Sequence, residues 1–163
     1  MKIQILLIVS ILIFGKTNAQ KNSKISFNVG GELGFATGNL NLFYSVGIGA
    51  TAQLDYEVDD KLRITANSGI IQYAGRKLQG TALKNQSNAV IPVLAGAKYF
   101  FAENFYGNLQ LGVSLFTGKL GSNKFTYIPG LGFYINDKVD LLLKYTGYTN
   151  LGGAFGVRLG YAL

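Results

Sequence analysis

The stretch "GGAFGVRLGYAL", residues 152–163, places its bulky apolar side chains at Phe155, Val157, Leu159, Tyr161 and Leu163, on every second position. Between them stand Gly156, Arg158, Gly160 and Ala162. A period of two belongs to a β-strand, whose successive side chains point to opposite faces. One face of this strand is apolar and the other is nearly bare apart from a single arginine. The fold has to give each face a medium that suits it.

The same period recurs along the chain. In "ISFNVGGELGFA" (25–36) Ile25, Phe27, Val29, Leu33 and Phe35 alternate with Ser26, Asn28, Gly30, Glu32 and Gly34. In "YSVGIGATAQLDYEV" (44–58) the apolar face comprises Tyr44, Val46, Ile48, Ala50, Ala52, Leu54, Tyr56 and Val58. Further strands are expected at 62–73, 89–100, 105–116, 124–135, 139–148 and 153–163, eight in all. Their connections alternate in length. "DDK" (59–61), "AEN" (102–104) and "NDK" (136–138) are short turns, whereas "TGNLNL", "GRKLQGTALKNQSN", "TGKLGSN" and "TNLG" form a second, mostly longer set. That asymmetry predicts an all-β, eight-stranded antiparallel up-and-down transmembrane barrel. Ile70 and Ile71 interrupt the alternation, Leu94, Ile128 and Leu142 fall on the polar face, and Pro92 and Pro129 lie inside strands, where bulges are expected.

A water-soluble barrel also has alternating strands, so the charges must decide which face points outward. Glu32, Asp55, Arg63, Lys98, Lys124, Asp140, Lys144 and Arg158 all share the parity of the polar face. A lipid-facing charge near the bilayer midplane costs roughly 2–4 kcal/mol, which enforces such segregation. The polar face is also rich in glycine, including Gly30, Gly132, Gly156 and Gly160, as suits the crowded inside of a narrow barrel. Aromatic residues gather at strand ends: Phe27, Tyr56, Tyr99, Phe105, Phe133 and Tyr161 near the short turns, Phe35, Tyr44, Phe125, Tyr127 and Phe155 near the long loops. Two such belts are expected at the two membrane interfaces. The apolar face of the closing strand therefore faces lipid, and Arg158 points into the lumen.

Residues 1–19 read as a cleavable signal peptide: Lys2, the apolar run "ILLIVSILIFG", then "KTNA" before Gln20. The run is shorter than the roughly 20 residues a spanning helix needs, and a retained N-terminal anchor is the alternative. Residues 20–163 form the barrel domain. The chain has 15 lysines and arginines, 8 acids and no cysteine, so it has neither disulfides nor a lipoprotein-type anchor. Without Lys2 and Lys16 the balance is 13 bases to 8 acids, a net charge of +5.

The leader ending in "NA", the segment "IPVLAGAKYFF" (91–101) and the closing "GVRLGYAL" (156–163) resemble the small outer-membrane β-barrel proteins of the Bacteroidota, architecturally like the eight-stranded outer membrane protein A and X barrels. The resemblance implies a fold and a location, the outer membrane of a Gram-negative bacterium. It carries over no catalytic residue.

Chemistry is limited by what is missing. With no histidine and no cysteine, Ser/His/Asp and Cys/His arrangements and the usual zinc sites are impossible, and no metal or cofactor is expected. A carboxylate pair is left as an acid–base device, and Glu32 reads as the only acid deep in the barrel. No enzymatic activity is expected.

Two candidate sites follow. Glu32 and Arg158, on the first and last strands, fall at similar depth and can pair; Lys144 adjoins them and Lys98 lies on the far wall. This lumenal ionic cluster is either a structural plug or a gate for a narrow pore conducting ions or small solutes. The long-loop side carries Arg76, Lys77, Lys84, Lys119 and Lys124 without an acid, while Asp59, Asp60, Glu103 and Asp137 lie at the short turns. Such an extracellular basic rim meets the phosphates of outer-leaflet glycolipid or an anionic surface partner. Expected partners are outer-membrane lipid and glycolipid and the barrel-assembly machinery. The basic residues are too few, and their aromatic neighbours too lipid-facing, for nucleic acid. Both termini are expected in the periplasm.

Overall fold

The computed structural model describes residues 24–76, 85–117 and 122–163. The leader, Lys77, Lys84 and Lys119 lie outside the described residues. Eight strands form: β1 (Ile25–Thr37), β2 (Tyr44–Glu57), β3 (Leu62–Gly75), β4 (Asn88–Phe100), β5 (Phe105–Phe116), β6 (Lys124–Asn136), β7 (Val139–Tyr148) and β8 (Gly152–Ala162). Each pairs antiparallel with the next, and β8 returns to β1, from Asn28↔Ala162 to Thr37↔Gly153, so the sheet is a closed barrel with no free edge. A single helical turn, α1 (Leu40–Phe43), sits in the β1–β2 connection.

The short turns are built by side chains that accept backbone donors. Asp59 Oδ1 accepts the N–H groups of Lys61 and Leu62 at 2.8 and 2.9 Å. Asn136 Oδ1 accepts those of Lys138 and Val139, both at 2.9 Å. This is why Asp and Asn stand where strands reverse.

The barrel is apolar outside and polar inside. Leu131, Phe155 and Leu143 are among its exposed large side chains, whereas Asp140, Lys98 and Arg158 are at most 1% exposed. Outward rings neighbour one another near both rims: Phe105 stacks against Phe101 and lies tilted against Phe133, and Tyr145 lies tilted against Tyr127 and Phe155.

Three details differ from expectation. Neither proline makes a bulge. Pro92 pairs with Ser114 of β5 and Pro129 with Leu109 of β5. Each turns its missing N–H toward its other neighbour, where the ladder skips two positions and resumes in the same register. The register shifts lie instead at Tyr44/Gly47 in β2 and Tyr134/Asn136 in β6. The first inserts one residue, which reverses the facing of Tyr44: its ring is buried in the lumen rather than in the outer aromatic belt. Finally, Ile70 and Ile71 need no irregularity. Ile70 faces out, 52% exposed, and Ile71 faces in, 6% exposed.

Candidate functional site

The lumen is layered. At the long-loop end α1 inserts Leu40, which packs with Tyr44, Tyr73, Phe116, Tyr148 and Leu151. At the short-turn end Phe100, Tyr106 and Leu142 form a second apolar cluster, with Tyr134 against it. Between these caps lies a polar tier in which three acids, Glu32, Asp55 and Asp140, and two bases, Lys98 and Arg158, are buried, with Lys144 half-buried beside them.

The first part of that tier is centred on Arg158. Pairing of β8 with β1 sets Arg158 directly opposite Glu32 and Gly160 opposite Gly30. The guanidinium lies over the two glycines: a Cβ on Gly30 would stand 2.7 Å from Arg158 Cζ. Gly160 of the closing strand and Gly30 of the first are thus the floor on which the arginine rests. Arg158 Nη2 donates to Asn28 Oδ1 at 2.6 Å and Nε donates to Thr51 Oγ1 at 3.0 Å. Thr51 in turn donates to Glu32 Oε1 at 2.9 Å. Nε lies 4.0 Å from Glu32 Oε1, and Nη1, which has no hydrogen-bond partner, lies 3.7 Å from Asp140 Oδ1. Asn28 Nδ2 donates to Asp140 Oδ1 at 3.1 Å, and Lys144 Nζ donates to Glu32 Oε2 at 2.6 Å.

The second part occupies the opposite wall. Lys98 Nζ donates to Asp55 Oδ2 at 2.9 Å, and Gln53 Nε2 donates to Asp55 Oδ1 at 2.7 Å. Gln110 Nε2 donates to Gln53 Oε1 at 3.2 Å. Tyr106 joins the two parts. Its hydroxyl donates to Asp140 Oδ2, and Lys98 Nζ stands 4.9 Å from its ring centroid.

Glu32, Arg158 and Lys144 therefore come together, while Lys98 is held apart from them by its own acid. Glu32 is not the only acid deep in the barrel: Asp55 and Asp140 are buried more fully. Their parity put them on the inner face, but their depth depends on strand register across the barrel, which alternation does not encode. The three carboxylates do not form an acid–base pair open to substrate, since each faces a cation or guanidinium and both ends of the lumen are capped. A lumenal cavity beside Glu32, Lys144 and Tyr73 measures only about 10 Å3. Among the described residues no group of potential metal ligands occurs.

Of the basic rim, Arg76 and Lys124 are described. Arg76 is exposed, and its Nη1 donates to the backbone oxygen of Asn41 at 2.9 Å, tying the foot of the β3–β4 loop to α1. Lys124 is half-buried at the start of β6.

No protein-family model and no curated protein matches this sequence. Among solved structures, the outer membrane protein Ail of Yersinia pestis in a phospholipid bilayer nanodisc is similar over 87% of this chain and all of its own, with a TM-score of 0.61 at 15% identity. A crystal structure of Ail covers 85% of this chain and 96% of its own, with a TM-score of 0.52 at 17% identity. A de novo designed transmembrane β-barrel covers 88% and 98%, with a TM-score of 0.57 at 15% identity. At these identities the likeness is one of architecture, and the architecture is that of the eight-stranded outer-membrane β-barrels.

Proposed function

We propose that this chain is an integral outer-membrane barrel of a Gram-negative bacterium, with both termini in the periplasm and no enzymatic activity, whose role is structural or surface-interacting. The observation that carries the reading is the inverted surface. Large apolar side chains cover the outside, while Glu32, Asp55, Asp140, Lys98, Lys144 and Arg158 are paired inside a lumen capped at both ends. Closed barrels satisfy every strand N–H and C=O internally, as lipid requires. The even strand count brings the start of β1 and the end of β8 to the short-turn side, which in such barrels is periplasmic. Insertion by the barrel-assembly machinery accompanies this reading.

On the other side, Arg76, Lys77, Lys84, Lys119 and Lys124 form a basic rim that contacts anionic glycolipid of the outer leaflet, or an anionic surface partner. The test is sedimentation of the refolded protein with vesicles containing or lacking anionic glycolipid. Replacing Arg76, Lys77 and Lys84 with serine should weaken glycolipid-dependent binding about tenfold or more at low salt, at roughly 1 kcal/mol per basic group. Equal binding by parent and variant removes the rim from the account. A narrow or gated pore is the second reading. One observation favours it: Arg158 Nη1 is buried without a hydrogen-bond partner, 3.7 Å from Asp140 Oδ1, so one corner of the guanidinium is held by charge alone.

A further inference from the structure

We propose that the Arg158-centred network is a closure latch, which selects the register at which the last strand docks on the first and holds that seam shut. The argument begins from sequence distance. Four hydrogen bonds of this network join residues 107 to 130 positions apart: Arg158 to Thr51, Lys144 to Glu32, Asn28 to Asp140 and Arg158 to Asn28, whereas Thr51 to Glu32, within the β1–β2 hairpin, spans 19. In the Asp55–Lys98 network the separations run from 2 to 57. The latter residues lie on strands β2 to β5, which are consecutive hairpins and pair with little loop closure. The former lie on β7, β8, β1 and β2 and assemble across β1–β8, the pairing that joins the two ends of the chain and carries the largest closure entropy.

Across the seam the long-loop end adds one side-chain hydrogen bond, from Thr37 Oγ1 to Gly153 O at 3.1 Å, and the rest of the contact is apolar or backbone. On the outer face β8 presents Phe155, Val157, Leu159 and Tyr161 to the equally apolar Val29, Gly31, Leu33 and Phe35 of β1. A slip of two residues keeps every one of these toward lipid, so outer hydrophobicity barely opposes it. On the inner face the same slip sets Arg158 opposite Gly30 or Gly34 in place of Glu32. It also moves the guanidinium off its glycine floor and away from Asn28 and Asp140. Buried charges deprived of their partners penalise that arrangement heavily. Ionic complementarity inside therefore supplies the specificity that the outside lacks.

The chain contains no cysteine, so engineered pairs report the seam directly. Leu33 and Val157 are opposite in the native register. Leu33→Cys with Val157→Cys reads that register, and Leu33→Cys with Leu159→Cys reads a two-residue slip. Each pair is oxidised after refolding in lipid, with Arg158 intact, with Arg158→Met, and with Lys98→Met on the opposite wall. The ratio of slipped to native cross-link should rise about tenfold or more in Arg158→Met, because the slip then no longer strands a buried guanidinium away from Asn28 and Thr51. It should stay near the parent value in Lys98→Met. An unchanged ratio in Arg158→Met, or an equal rise in Lys98→Met, overturns the proposal. If Arg158→Met yields no folded barrel, the Leu33–Val157 disulfide formed beforehand should restore folding. Failure of that staple to restore it likewise overturns the latch.

Discussion

Removing the ammonium of Lys98 tests whether the lumenal ions stabilise the barrel as pairs. Lys98 and Asp55 are 1% and 2% exposed at the side chain and 2.9 Å apart. Lys98→Met keeps most of the aliphatic stem but leaves Asp55 as a buried carboxylate whose remaining donor is Gln53. Removing one partner of such a pair costs about 3–5 kcal/mol. Asp55→Asn leaves the buried ammonium without a carboxylate, facing the Tyr106 and Tyr134 rings at 4.9 and 5.8 Å, and a comparable loss is expected. The double variant carries no unpaired charge. Asn keeps an oxygen for Gln53 and strands one amide donor, costing about 1–3 kcal/mol. The cycle should therefore show a coupling of at least about 3 kcal/mol. The assay is urea unfolding of the refolded protein followed by far-ultraviolet circular dichroism, since the chain has no tryptophan. A Lys98→Met variant within about 1 kcal/mol of the parent, or additive single losses, would mean that the buried ions do not stabilise the barrel as a pair.

Further outcomes follow from the two faces of the wall. Leu131 is 64% exposed on the outer face; Leu131→Arg should cost about 2–4 kcal/mol in lipid, and a change within about 0.5 kcal/mol would indicate a water-facing wall. Gly107 has open space where a Cβ would go, whereas a Cβ on Gly132 would collide with the Tyr106 ring. In the same urea assay Gly107→Ala should gain about 0.5–1 kcal/mol by relieving glycine's entropic cost. Gly132→Ala should lose about 1–3 kcal/mol, because the ring that meets Asp140 must move. Equal effects at the two glycines would contradict the placement of Tyr106.

Strand number, approximate boundaries and the facing of nearly every side chain were legible because a period of two is a local property. Even the opposition of Glu32 and Arg158 could be read, since a closed barrel of eight strands makes the first and last neighbours. What depended on geometry beyond one strand was not. The extra residue in β2 turns Tyr44 inward, and no residue type in "LFYSVG" announces a bulge there. Tyr106 on β5 reaches Asp140 on β7 across β6, a contact that follows from the stagger of the strands. The helical turn that carries Leu40 into the lumen lies in a connection where alternation gives no information. The prolines misled for a different reason: extended backbone accepts their fixed φ, and only one ladder side loses a donor.

The proposed barrel is lipid-embedded, with its lumen shut by paired charges between two apolar caps. Its most direct test is single-channel recording of the refolded protein, residues 20–163, in a planar bilayer. Insertion is confirmed separately by the different gel migration of the folded barrel before and after boiling. Inserted protein and a silent bilayer are expected, both for the parent and for the Leu33–Val157 cross-linked form. Reproducible conductance steps from the parent protein, altered in size by Arg158→Ala, would contradict this and make the lumenal network a gate.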